Sequence, residues 1–76
     1  MIYYYDLHVF YSSRDGFSVP VKIETTKTLD DNDVIQHALI TDLIDSEDAE
    51  HIDYVDDIDE DEYNNMLGII KSRKNN

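Results

Sequence analysis

This chain predicts a small α+β domain of order β-β-α-β-α, and three observations predict it. The first 24 residues alternate apolar and polar around a single turn signal. Two later segments carry apolar stripes at helical spacing, each behind an acidic start signal. A third alternating stretch lies between them. The natural closure is a three-stranded, mainly antiparallel sheet with helices packed on it. One domain over 1–73 is expected, with 74–76 as a frayed C-terminal tail.

Ile2 to Tyr11 is rich in aromatic and β-branched residues. Tyr3, Tyr5, Leu7, Val9 and Tyr11 share one face of a strand, and Ile2, Tyr4, Asp6, His8 and Phe10 share the other. Ser12 to Gly16 supplies a five-residue loop, with Asp15-Gly16 suited to positive φ. Phe17, Val19, Val21 and Ile23 then form the apolar face of a second strand, which completes a hairpin. Pro20 has no N–H to give a ladder, so this strand belongs at a sheet edge or turns that nitrogen outward.

Asp30 reads as the cap of a helix over about 31–42, with Leu29 and Val34 spaced as a hydrophobic staple. Asp31 and Asp33 suit the positive end of its dipole, and Val34, Ile35, Ala38 and Leu39 form its stripe. Leu43 to Glu50 is a connection with one helical turn around Ser46–Ala49. Ile52 and Tyr54 alternate, but Val55 and Ile58 fall out of phase, which predicts a third strand with a bulge or an early end. Asp59 then caps the last helix, with Glu62 as the box partner and Ile58 with Tyr63 as the staple. Tyr63, Met66, Leu67 and Ile70 give its stripe, and Lys71 and Arg73 suit its negative end. Gly68 interrupts it at a cost of about 1 kcal/mol relative to alanine.

Composition narrows the function classes. A chain of 76 residues makes one domain with a thin core. It contains no cysteine, so disulfides, thiolate metal sites and thiol nucleophiles are excluded together. A small secreted domain usually needs such staples, which points to the cytoplasm. Met1 to Asp6 has neither the basic nor the long apolar segment of a signal peptide, and no apolar run could span a bilayer. Eighteen acids against six bases leave a net charge of −12. Between Asp30 and Glu62 there are fifteen carboxylates and no lysine or arginine. Such a surface disfavours direct binding to nucleic acid or anionic membrane and favours a basic protein partner.

The densest segment holds Asp53, Asp56, Asp57, Asp59, Glu60, Asp61 and Glu62, seven carboxylates in ten positions. Side chains two apart on a strand lie about 6.6 Å apart, close to the phosphate spacing along a nucleic-acid strand. Side chains three or four apart on a helix have Cβ atoms about 5–6 Å apart. Fixed on such a frame, the carboxylates would act as charges rather than as acids or bases. The plainer reading is a solvated acidic face, with Asp30, Asp59 and Glu62 serving as helix caps.

Catalysis and metal binding are less well supported. His8, His37 and His51 have no ligand spacing and no nucleophile beside them. Ser12 and Ser13 lack a glycine-rich elbow, and paired acids need a cleft that a thin core does not provide. Asp57, Asp59 and Asp61 match the first ligands of a calcium loop, but Glu62 stands at its glycine and Gly68 at its terminal glutamate. No cofactor and no dedicated metal site are expected. The first strand carries aromatic residues on both faces, so Tyr4, His8 and Phe10 mark either a face through which the chain would dimerise or dock, or one partly covered by a helix or by the chain's own tail.

The run from Ile52 to Met66, Ile-Asp-Tyr-Val-Asp-Asp-Ile-Asp-Glu-Asp-Glu-Tyr-Asn-Asn-Met, resembles small acidic proteins of low-GC Gram-positive bacteria and their phages. Some phage proteins of this size and charge are DNA mimics that block restriction, CRISPR or DNA-repair enzymes. The similarity lies in charge and length, and it carries no functional residue across. It implies a non-catalytic module whose acidic surface occupies the nucleic-acid-binding groove of a basic protein. The other expectation is an accessory or structural protein docking through the first strand.

Overall fold

The computed structural model describes residues 1–74, and side chains through residue 69. Its elements are β1 (Ile2–Ser12), β2 (Asp15–Glu24), α1 (Asp31–Ile40), α2 (Ser46–Glu50), β3 (Ile52–Ile58) and α3 (Glu60–Lys74). The strands form one antiparallel sheet in the order β2-β1-β3. The fold is the α+β class read from the sequence, with the helical turn around Ser46–Ala49 formed as α2. Among the described residues no helix is long and apolar enough to cross a membrane. Lys74 is still within α3, and the rest of the expected tail, 75–76, lies outside the described residues.

Because side chains alternate along a strand, β1 faces two layers. Tyr5, Leu7 and Val9 are buried, and Val19, Val21 and Ile23 of β2 are buried beside them. Val34 and Ala38 of α1 and Ile44 close this side. On the opposite side α3 lies over β1 and β2, and the Tyr63 ring sits 5.1 Å from that of Tyr4. The helices therefore flank the sheet on both faces. An apolar stripe shows that a helix is buried, but it does not specify which face of the sheet the helix covers.

Pro20 lies in β2, which is an edge strand, and it pairs opposite Asp6. The third strand carries a bulge, but earlier than the sequence pattern places it, so Ile52 and Tyr54 point to opposite faces. Ile52 faces Val9 and Tyr54 faces His8, so Asp53 is the extra residue.

The hairpin differs from the five-residue loop expected from sequence. Ser12 pairs with Asp15, leaving Ser13 and Arg14 as the turn, and a second bulge falls at Tyr11. Gly16 does not take positive φ. It pairs with Phe10 inside the strand, where a Cβ would come within 2.9 Å of the Val9 carbonyl oxygen. Glycine is needed there for close approach, not for the turn.

The positive φ falls instead at Asp42, at 61°. Asp42 N–H donates to the Leu39 carbonyl at 3.2 Å and Leu43 N–H donates to that of Ala38 at 2.9 Å. Those two bonds make a Schellman ending of α1, with aspartate where glycine is usual. The reversal turns Ile44 into the core, 4% exposed. By sequence alone that residue lies in a plain connection.

These three backbone positions predict opposite stability changes. Asp42→Gly relieves a left-handed non-glycine residue and is expected to stabilise by about 0.5–1 kcal/mol. Gly68→Ala meets nothing within 4 Å and is expected to stabilise by about 0.5–1 kcal/mol. Gly16→Ala is expected to destabilise by about 1–3 kcal/mol. Urea denaturation of the three variants checks both signs.

Candidate functional site

The acidic character of this chain arises first from how its helices start. Asp30 Oδ1 accepts from Asp33 N–H at 2.9 Å, while Asp33 Oδ2 accepts from Asp30 N–H at 3.1 Å. Asp45 and Asp48 repeat the reciprocal pair at 2.8 and 3.2 Å. At α3, Asp59 Oδ1 accepts from Glu62 N–H at 2.8 Å. With the first-turn acids Asp31, Glu47, Glu60 and Asp61, these positions hold ten of the eighteen carboxylates. More than half of the negative charge therefore lies where orphan N–H groups and the helix dipole favour it.

Asp53, Asp56, Asp57, Asp59, Glu60, Asp61 and Glu62 are all exposed, and they run from β3 into the first turn of α3. They do not make one patch. Asp56 pairs opposite Asp6, on the side that α3 covers, whereas Asp57 pairs opposite Tyr5, on the side of α1. The run thus divides into two rows, one on each face of the sheet. Glu60 extends the first row and accepts a hydrogen bond from Tyr4 Oη at 3.1 Å.

Asp6 joins the row of Asp56, and its Oδ1 is buried without a hydrogen-bond partner among the described residues. Burial raises the pKa of the nearby Tyr54 hydroxyl, and the charges of Asp6, Asp56 and Asp53 raise it further. On the other side, burial raises the pKa of Tyr5, and Asp57, Tyr3, Asp31 and Asp33 add to the effect. Asp6, Asp31, Asp33 and Tyr5 were not among the site residues expected from sequence. The alternation of β1 together with the antiparallel register brings them in, and only the alternation was legible.

Tyr4, His8 and Phe10 do not form an open aromatic face. Tyr4 is covered by Tyr63 and bonded to Glu60. The His8 ring stacks on Tyr54 at 4.8 Å, and its Nδ1 is 3.2 Å from Ser18 Oγ. Of the three, Phe10 alone is exposed, at 45%. Asp57, Asp59 and Asp61, weighed as the start of a calcium loop, stand on a strand, at a cap and in a helix. Among the described residues no three His, Asp or Glu side chains lie close enough together to hold a metal ion.

The chain matches no protein-family model, no curated protein and no solved structure.

One acid in this set does structural work that can be titrated. Tyr11 Oη donates to Asp48 Oδ1, and the Tyr11 ring lies 4.4 Å from that of His51. The bond holds the Asp48 carboxyl below its ordinary 3.8 and the Tyr11 hydroxyl above its ordinary 10.0. A lowered carboxyl pKa contributes stability above the unfolded value of about 4 that is lost as pH falls through the folded one. A raised phenol pKa contributes stability below about 10 that is lost at higher pH. The stability difference between wild type and Tyr11→Phe should therefore be widest between about pH 4 and 10 and shrink on both sides. Urea unfolding across pH, with ¹³C NMR titration of the Asp48 carboxyl, checks this, and an unshifted Asp48 in both proteins would remove the bond from consideration.

Proposed function

We propose that this chain is a non-catalytic binding protein whose acidic surface engages a basic protein, of the kind that itself holds nucleic acid. One observation carries the reading. All seven carboxylates of the 53–62 segment are exposed on a strand and a helix start, at spacings fixed by backbone geometry. Hydrogen-bonded elements hold these charges in place, so a partner's cationic groove would meet them without first ordering a loop. The two rows that separate at Asp56 and Asp57 would present charge on both sides of one sheet edge, as a duplex presents two phosphate strands. The small size, the acidity and the resemblance to phage-borne acidic proteins support a role as an inhibitor or modulator acting as a DNA mimic in a bacterial cytoplasm.

Such a surface should work collectively and be sensitive to salt. Attraction between exposed charges is screened beyond about 8 Å at physiological ionic strength. Pull-down from a bacterial lysate is expected to enrich nucleic-acid-binding proteins, which competing duplex DNA or added salt then releases. Replacing Asp56, Asp57 and Asp61 with Asn and Glu60 with Gln should abolish capture. Glutamine retains an acceptor for Tyr4, and the other three are exposed, so circular dichroism should show an unchanged fold. Capture that survives the four changes, or resists both DNA and salt, would overturn the reading.

A further inference from the structure

The α1-side row of acids borders a cleft of about 320 Å³ lined by Tyr3, Tyr5, Leu29, Asp57 and Ile58. Its walls come from β1, from the approach to α1 and from the end of β3, so distant parts of the sequence build it. Tyr5 is 7% exposed and lines the cleft, and its hydroxyl makes no hydrogen bond to the protein among the described residues. Tyr3 and Tyr5 are stacked with ring centroids 6.5 Å apart, and Tyr3 remains half-buried, with part of its ring accessible. Asp57 stands directly across from Tyr5 in the sheet, and Asp31 and Asp33 at the start of α1 act electrostatically on the same hydroxyl.

We infer that this cleft is a receptor for an arginine side chain of the basic partner, whose guanidinium lies against Tyr3 and donates to Tyr5 Oη and Asp57. The chemistry selects that group. An anion is disfavoured by Asp57 in the wall and by Asp31 and Asp33 at the start of α1. A metal ion needs ligands drawn together, and among the described residues no three acids approach closely enough. A guanidinium is planar, carries five donors and stacks on aromatic faces, so it can satisfy acceptors that are spread around a ring. An ammonium offers a compact charge without that shape. The inference rests on the partner's being a basic protein and adds which of its residues anchors it.

The test uses the full chain and a small probe, N-acetyl-argininamide, followed by ¹⁵N and ring-proton NMR. Saturable shifts are expected at Tyr3, Tyr5, Leu29 and Asp57, with contacts from the tyrosine rings to the probe's Cδ protons. N-acetyl-lysinamide should bind more weakly. Tyr5→Phe removes an unpartnered hydroxyl, so the fold should stay intact while probe affinity falls about fivefold to tenfold. Asp57→Asn should weaken the probe about threefold to fivefold, and the same spectra report whether each variant is folded. Replacing Asp15 with Asn and Glu50 with Gln, exposed acids that do not line the cleft, should leave the cleft shifts in place.

Shifts spread evenly along 53–62, or an affinity unmoved by both Tyr5→Phe and Asp57→Asn, would overturn the arginine cleft. The basic-partner reading has its own outcome. If the protein captures nucleic-acid-binding proteins through the 53–62 acids while both cleft variants capture equally well, only the cleft fails. If wild type captures none, the wider reading fails with it.

Discussion

Every long-range pairing in this fold passes through β1. The outer strands β2 and β3 never meet, and each is registered only by its ladder to β1. One residue of slip in β1 would exchange Tyr5, Leu7 and Val9 for Tyr4, Asp6 and His8, and place a carboxylate in the core. The register is held by apolar burial, since Leu7, Val9, Val21 and Val34 are almost wholly removed from water. Truncating one such side chain costs about 2–5 kcal/mol. A domain of this size has a total stability of roughly 5–15 kcal/mol, so the core is small enough that the remaining elements have to contribute. Helix capping is where this sequence concentrates that contribution.

Legibility followed the locality of the signal. Strand alternation and helix starts rest on neighbours within a few positions, and each was readable from residues such as Tyr5 and Asp30. The β3 bulge was legible as a break in phase but not in its place at Asp53. The side of the sheet that α3 covers was not readable, because Tyr63, Met66 and Leu67 make the same stripe on either face. Gly16 misled for a related reason. Asp-Gly signals a turn by its local chemistry, but here glycine answers to the Val9 carbonyl from the neighbouring strand. Ile44 was missed because its burial follows from a left-handed Asp42, a residue that carries no turn signature of glycine's strength. Within the candidate site, the seven acids were visible as a run. Their division into two rows depends on register, and so do the additions of Asp6 and Tyr5.

The charge has two physical origins that composition alone cannot separate. Acids at the three helix starts satisfy N–H groups and the helix dipole, and they would be selected even without a partner. Asp53, Asp56 and Asp57 serve no cap. They lie on β3, whose outer edge has no partner strand among the described residues, and charge on such an edge deters pairing with another chain. On the opposite edge Pro20 removes a donor, and Asp15, Lys22 and Glu24 mix both signs of charge. Edge protection therefore explains why β3 is charged, but not why all three of its charges are negative.

The difference between the two edges bears on function. On β2 a lysine offsets part of the acidic charge, whereas on β3 three aspartates add repulsion among themselves and with Asp6. Asp6 sharpens the point, because its carboxylate is partly buried opposite Asp56 with one oxygen unpaired. Like charges set directly across a ladder destabilise it, and a chain selected for stability alone would exchange one of them for threonine or lysine. Asp56 is free to change, since it is exposed and caps nothing. Its placement beside Asp6 is a local conflict between stability and sequence. Such conflicts concentrate where a surface is shaped for a partner, and a basic partner is the kind that would relieve this one by supplying the missing positive charge.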